Sequence, residues 1–319
     1  MYFAFLCFAV GLPSLLYIFG ADPGVVAIVL ALSGAGCVFS GVKVNTLVLP
    51  IIGLLLQFLA VFLFADAVWY PFGANFLVNY YFLSCCCFVL VAFCSAYLLD
   101  QEVVSQVDVA CRQHLSHRYL LFLFFLLGAA VWFVAGLREI WMHIVVWERL
   151  NGTLLFVSAT SILSGILAEK VRWNRLDYFL LLHLPAIWLL LVLALLRSNP
   201  TVQLISGWGA AAWGAAFFVQ YRILALLDTK GGFGKTPFFH LFSLWALLLV
   251  VQREVISALL SLGSLSSFGQ LGVKMFLSCL YLLILFVMRQ KNWWPVCQHT
   301  RVYLWGGLAF LLFLTITGL

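Results

Sequence analysis

The stretch Leu120–Ala135, LLFLFFLLGAAVWFVA, holds sixteen consecutive residues whose only polar side-chain atom is the indole nitrogen of Trp132. A membrane-spanning β-strand alternates apolar and polar residues over about ten positions. A helix crossing a bilayer core of about 30 Å needs roughly 20 mostly apolar residues in a row. The stretch therefore reads as the heart of a transmembrane helix. Composition extends that reading to the whole chain: 9% of residues are charged, 65% are apolar or aromatic, and the mean hydropathy is +1.13. A soluble domain is about a quarter charged, and a chain this apolar satisfies its backbone polar groups only as a bundle of spanning helices. The expected fold is all-α, a polytopic integral membrane protein with the lipid bilayer as its principal partner.

Eleven runs qualify as spans: 1–19, 25–41, 46–66, 77–98, 119–138, 153–169, 178–196, 204–227, 238–260, 271–289 and 302–318. The second is the weakest, being short and holding Gly34, Gly36 and Gly41. Turn signals separate the runs, among them Asp22-Pro23-Gly24, Asn199-Pro200 and Gly231-Gly232. Pro13, Pro50 and Pro185 fall inside or beside apolar runs, where membrane helices tolerate them.

Basic residues set the orientation. Of the 17 Lys and Arg, twelve lie in or beside the even-numbered loops, including Lys43, Arg118, Lys170, Arg175, Lys230 and Arg289; five, namely Arg138, Arg149, Arg197, Arg253 and Lys274, lie at the odd ones. The 11 acidic residues divide six to five. Cytoplasmic loops carry the Lys/Arg excess. The even loops and the N-terminus are thus placed in the cytoplasm and the C-terminus outside. The net charge of +6 is this topology signal, with no nucleic-acid partner implied. Tryptophans and tyrosines such as Trp69, Tyr80, Trp173, Trp294 and Tyr303 cluster at span ends, where they read as interfacial anchors. Residues 1–19 lack the basic start of a signal peptide. A chain opening and closing on apolar spans reads as part of a longer polytopic protein.

Two spans end alike. The fifth reads WFVAGLREIWMHI (132–144) and the ninth LLLVVQREVISAL (247–259), and each is followed by an outer loop, a span, a basic linker with tryptophan and another span. The linkers are EKVRWNRLD (169–177) and RQKNWWPVCQHTR (289–301). The pattern predicts one membrane-embedded region, 1–319, built from parallel repeats of a four-helix unit, 1–118, 119–237 and 238–319, the last incomplete.

Several segments together carry a resemblance: GLLLQFLAVFLF (53–64), WFVAGLREI (132–140), GWGAAAWGAAFFVQYRIL (207–224), HLFSLWALLLVVQRE (240–254) and WPVCQHTRVYLW (294–305). In this order they resemble the C-terminal part of a family of large bacterial membrane proteins known as domain of unknown function 2339. Family members are longer and often carry a coiled-coil N-terminal region that this sequence lacks. Where they often end the ninth span in Trp-Glu, this chain has Arg253-Glu254. The resemblance implies a bacterial inner (cytoplasmic) membrane protein and no particular activity.

Ionisable residues at membrane depth are the natural candidates for function. Arg138, Glu139, Arg253 and Glu254 sit near the outer ends of their spans and His240 near the inner end of the ninth. The Arg-Glu pairs would either line an outward-facing cavity and grip a polar headgroup, or serve packing, each Glu bonded to a neighbouring helix and each Arg snorkelling to the interface. Glu139 and His143 share a helix face, but no third or fourth ligand is near in sequence, so no metal and no cofactor is expected. His114 and His117 read as a solvated segment of the longest inner loop, 99–118. The nine cysteines show no C-x-x-C; those within spans read as small apolar packers. Residues 229–236, TKGGFGKT, mimic the end of a phosphate-binding loop without its first glycine or a preceding strand. In the eighth span, Ala210 and Gly214, Ala211 and Ala215, and Ala212 and Ala216 form small pairs four apart that suit close helix packing. Gln220 and Arg222, at its inner end, could instead face a cavity.

Three function classes remain. The sequence favours a non-enzymatic structural or scaffolding protein, partnered by other membrane proteins or by the rest of a longer chain. The alternative is a transporter or a lipid- or envelope-glycan-handling protein with a cavity between repeats. An intramembrane enzyme is least favoured, because no paired carboxylates, H-E-x-x-H or serine/histidine constellation appears in the sequence.

Overall fold

The computed structural model describes residues 11, 23–67, 76–105, 111–197, 204–230, 236–263 and 266–317. Every regular element among them is helical: α1 Pro23–Val44, α2 Val48–Ala67, α3 Tyr80–Ser105, α4 Cys111–His143, α5 Arg149–Val171, α6 Asp177–Arg197, α7 Gly209–Lys230, α8 Thr236–Leu262, α9 Ser267–Gln290 and α10 Thr300–Thr317. Counting only the described residues, eight of these contain stretches long and apolar enough to cross a membrane. Of the expected span at 1–19 only Gly11 is among the described residues; the other ten expected spans each coincide with a helix. The chain divides into two compact units, Met1–Ile144 and Val145–Leu319.

In the first unit α1 and α2 form a hairpin, α3 pairs with α4, and α1 lies against α3. The glycines that make the second expected span look weak explain its packing. A Cβ on Gly34 would stand 2.7 Å from the Gly53 carbonyl oxygen, and one on Gly53 would stand 2.5 Å from that of Gly34. The two backbones therefore touch, which only glycine permits. The hairpin closes through Asn45 in the left-handed region (φ 58) and a Thr46 N–H bond of 3.0 Å to the Gly41 carbonyl. Phe64 meets Phe88 edge to face at 5.9 Å, and Gln57 donates to Ser95 Oγ at 3.0 Å, tying α2 to α3.

In the second unit α8 is the hub, contacting α6, α7, α9 and α10. Leu154, Ile187, Leu191, Trp213, Ala216 and Val250 bury together on one side of the unit; Leu244, Leu248, Leu285, Tyr303 and Phe310 bury together on the other. Pro185 sits inside α6 without ending it. Large apolar side chains such as Leu90, Phe122, Leu189, Phe218 and Phe276 are exposed on the helices. That is costly in water and natural in lipid.

The long inner loop expected at 99–118 contracts, because α3 runs on to Ser105 and α4 begins at Cys111. His117, expected to be solvated, is buried.

Candidate functional site

Glu139 is fully buried near the end of α4. Its Oε2 accepts the Leu77 backbone N–H at 3.1 Å and the Asn79 side-chain amide at 2.8 Å. Asn79 in turn caps α3, its Oδ1 accepting the Phe82 N–H at 2.8 Å. The carboxylate thus fixes the loop that launches the preceding helix. Its other oxygen meets the Arg138 guanidinium at 3.3 Å, and His143 Nε2 stands 3.5 Å from Oε2. Arg138 does not snorkel: it stays buried, its guanidinium 4.1 Å from the centre of the Tyr81 ring.

Glu254, on α8 of the second unit, has the same employment. It accepts the backbone N–H groups of Leu204 and Ile205, in the turn that leads into α7, with half-buried Arg253 supplying the adjacent positive charge. The turn is itself tight. Gly207 has φ +58, and a Cβ there would meet Glu148 Oε1 at 2.3 Å. Glu148 also accepts from Asn151 Nδ2 at 2.8 Å.

Four helices of the second unit share a buried polar chain that sequence reasoning missed. Gln220 (α7) donates through Nε2 to Ser243 (α8) at 2.9 Å, and its Oε1 faces His183 Nδ1 (α6) at 3.0 Å. That arrangement assigns the imidazole proton to Nδ1. His183 Nε2 lies 3.3 Å from Ser158 Oγ (α5), whose single hydroxyl proton goes to the Leu154 carbonyl at 2.8 Å. Gln220 is therefore spent inside the unit rather than facing a cavity, while Arg222 is exposed. Such closed networks specify helix pairing in lipid.

His240, the fifth residue of α8, is the centre of a second cluster. Its Nε2 stands 3.3 and 3.4 Å from the two oxygens of Asp228, in the last turn of α7. Its Nδ1 is 2.8 Å from the Tyr303 hydroxyl on α10. His299, in the linker before α10, brings its Nε2 to 3.1 Å from Asp228 Oδ1, and Trp294 donates its indole N–H to Asp228 Oδ2 at 3.1 Å. The two imidazoles lie 4.1 Å apart, centre to centre. Trp294 and Tyr303, expected as interfacial anchors, are parts of this cluster, and Tyr303 is buried. Among the described residues, Asp228, His240 and His299 form the one group of three with metal-ligating spacing, their ligand atoms all within 4.8 Å of one another.

Of the three small pairs named in the sequence, one forms the packed face of α7. Ala210, Ala211 and Gly214 are exposed and Ala215 is half-buried; the packed pair is Ala212 and Ala216, with Trp213 and Phe217 beside them. No family model, curated protein or solved structure matches this chain.

Proposed function

We propose that the chain is a non-enzymatic, structural or scaffolding multi-pass protein of the bacterial inner membrane, related to domain of unknown function 2339, with its N-terminus in the cytoplasm and its C-terminus outside. The observation that carries this reading is the shared employment of Glu139 and Glu254. Each fully or partly buried carboxylate takes main-chain N–H groups from the turn that opens a neighbouring helix, Leu77 before α3 and Leu204 before α7. A carboxylate committed to backbone donors has little capacity left for a ligand. The repetition of this device around the two Arg-Glu sequences also supports a parallel repeat. The buried bonds from His183 through Gln220 to Ser243 support the same function, since polar groups of a wet translocation path do not bond mainly to one another.

Native mass spectrometry of the detergent-purified protein, wild type beside Glu139→Gln/Glu254→Gln, tests the proposal. Non-selective lipid adducts in both, with the double variant less stable and less abundant, are the expected result. A particular lipid or glycan held by the wild type and lost from a double variant of undiminished stability would overturn the scaffold reading in favour of a lipid- or glycan-handling cavity.

A further inference from the structure

We propose that Asp228, His240 and His299 form a binding site for one divalent transition-metal ion, zinc by its geometry, on two imidazole nitrogens and one carboxylate. The inference does not depend on the scaffold reading.

The Asp228–His240 distances favour a metal polyhedron over a hydrogen bond. Protein hydrogen bonds from nitrogen to oxygen run roughly 2.7–3.2 Å. A donor at His240 Nε2 would instead straddle both Asp228 oxygens at 3.3 and 3.4 Å, making a poor bond to each. Zinc binds imidazole nitrogen and carboxylate oxygen at about 2.0–2.2 Å, so adjacent ligand atoms of its tetrahedron stand about 3.3–3.5 Å apart. The Asp228–His240 separations fall within that range, and the Asp228–His299 separation of 3.1 Å is one small side-chain adjustment from it.

The surroundings are those of a ligand set. Metal-bound imidazoles hold their second nitrogen on a hydrogen-bond partner, and metal-bound carboxylates are themselves hydrogen-bonded. His240 Nδ1 has the Tyr303 hydroxyl at 2.8 Å and Asp228 Oδ2 has the Trp294 indole. With Nδ1–H donated to Tyr303, the lone pair of His240 Nε2 points toward the carboxylate, a repulsion that a cation between them turns into two bonds. Two imidazoles favour zinc and its first-row neighbours over magnesium and calcium. His240 is sealed, whereas the side chains of Asp228 and His299 are 10% and 16% exposed, so an ion has a way in. A bound ion would cross-link the end of α7, the start of α8 and the linker before α10.

The test uses the full chain, solubilised in detergent, stripped with a chelator and titrated with Zn²⁺ alone by calorimetry and with Co²⁺ alone by visible absorption. The wild type is expected to bind one equivalent of Zn²⁺ at micromolar affinity or tighter and to ignore Mg²⁺ and Ca²⁺. His299→Ala, a change in a partly exposed linker, is expected to weaken binding at least a hundredfold. Tyr303→Phe, which removes only the orienting partner, should cost about tenfold. His299→Cys keeps a ligand in place and should add a thiolate-to-cobalt charge-transfer band, which no structural role for His299 would produce. Absence of saturable Zn²⁺ binding by the wild type, unchanged affinity in His299→Ala, or equal binding of Ca²⁺ would overturn the site and leave the cluster as a hydrogen-bonded clamp.

Discussion

Replacing Glu139 is the sharpest probe of what the carboxylates of the two Arg-Glu sequences do. In the fully buried site, Oε2 accepts two donors, from Leu77 and Asn79, and Oε1 faces Arg138. In Glu139→Gln an amide oxygen still reaches Leu77 and Asn79, but as a neutral acceptor. Hydrogen bonds to charged groups contribute about 1.5–3 kcal/mol against about 0.5–1.5 for neutral pairs, so the two bonds together lose about 2 kcal/mol. The guanidinium of Arg138 keeps its place over Tyr81. Glu139→Ala takes the carboxylate away from the Leu77 N–H, the Asn79 amide and the Arg138 guanidinium together. Breaking a buried pair from one side costs about 3–5 kcal/mol. At about 2–4 °C per kcal/mol for chains of this size order, the melting temperature in detergent should fall by about 4–8 °C for Gln and by at least about 6 °C for Ala. The loss should begin locally: amide exchange at Leu77 and Phe82 should accelerate before exchange in the middle of α3, because Asn79 caps that helix. Wild-type melting and exchange in Glu139→Ala would refute the argument, since the carboxylate would then hold nothing in the fold together.

Other positions give independent tests. Gly53→Ala puts a Cβ 2.5 Å from the Gly34 carbonyl oxygen, forcing α1 and α2 apart, and should cost about 1–3 kcal/mol in thermal melts. Gly214→Ala meets nothing within 4 Å and should leave the melt unchanged or raise it slightly through helix propensity; a large loss there would mean that the exposed face of α7 is packed after all. Gln220→Leu removes the bonds to His183 and Ser243, and at about 0.6 kcal/mol per bond between membrane helices should cost only about 1 kcal/mol; a loss above about 4 kcal/mol would show the network behaving as in a water-soluble core. Cys297 is exposed in the basic linker before α10, so an impermeant maleimide should label it only after permeabilisation of cells, and labelling in intact cells would reverse the proposed topology.

The helices were legible because hydrophobic length is a local property. A run such as Leu120–Ala135 has only one low-energy disposition in lipid, and neighbours along the chain suffice to define it. The candidate site was partly legible for the same reason: Glu139, Glu254 and His240 stand out as ionisable residues among apolar ones. Their partners did not. Glu139 bonds Asn79 across 60 positions, and Asp228 meets His299 across 71, separations that only the packing of antiparallel helices closes. One signal for Asp228 was nevertheless present. It ends an apolar run on the basic side of the chain, and it occupies the last turn of a helix, where the backbone dipole disfavours a negative charge. An acid in that position needs a cation or several donors, and the linker 289–301, whose sequence speaks only of a repeat and of an interfacial Trp294, supplies them.

Packing on α7 shows where local reading stops short of a choice. Three small pairs four apart follow one another, each turned about 100° from the last, so small size alone is satisfied on most of the helix circumference. The choice falls to the bulky residues between them. Trp213 and Phe217 bury against Leu154, Ile187 and Leu191 of α5 and α6, and burying them fixes Ala212 and Ala216 on the same side. The large neighbours select the face, and the alanines at 212 and 216 permit the approach. Ala210, Ala211 and Gly214 are left outward together with Trp208 and Phe218, a surface that the described helices do not cover and that lipid can.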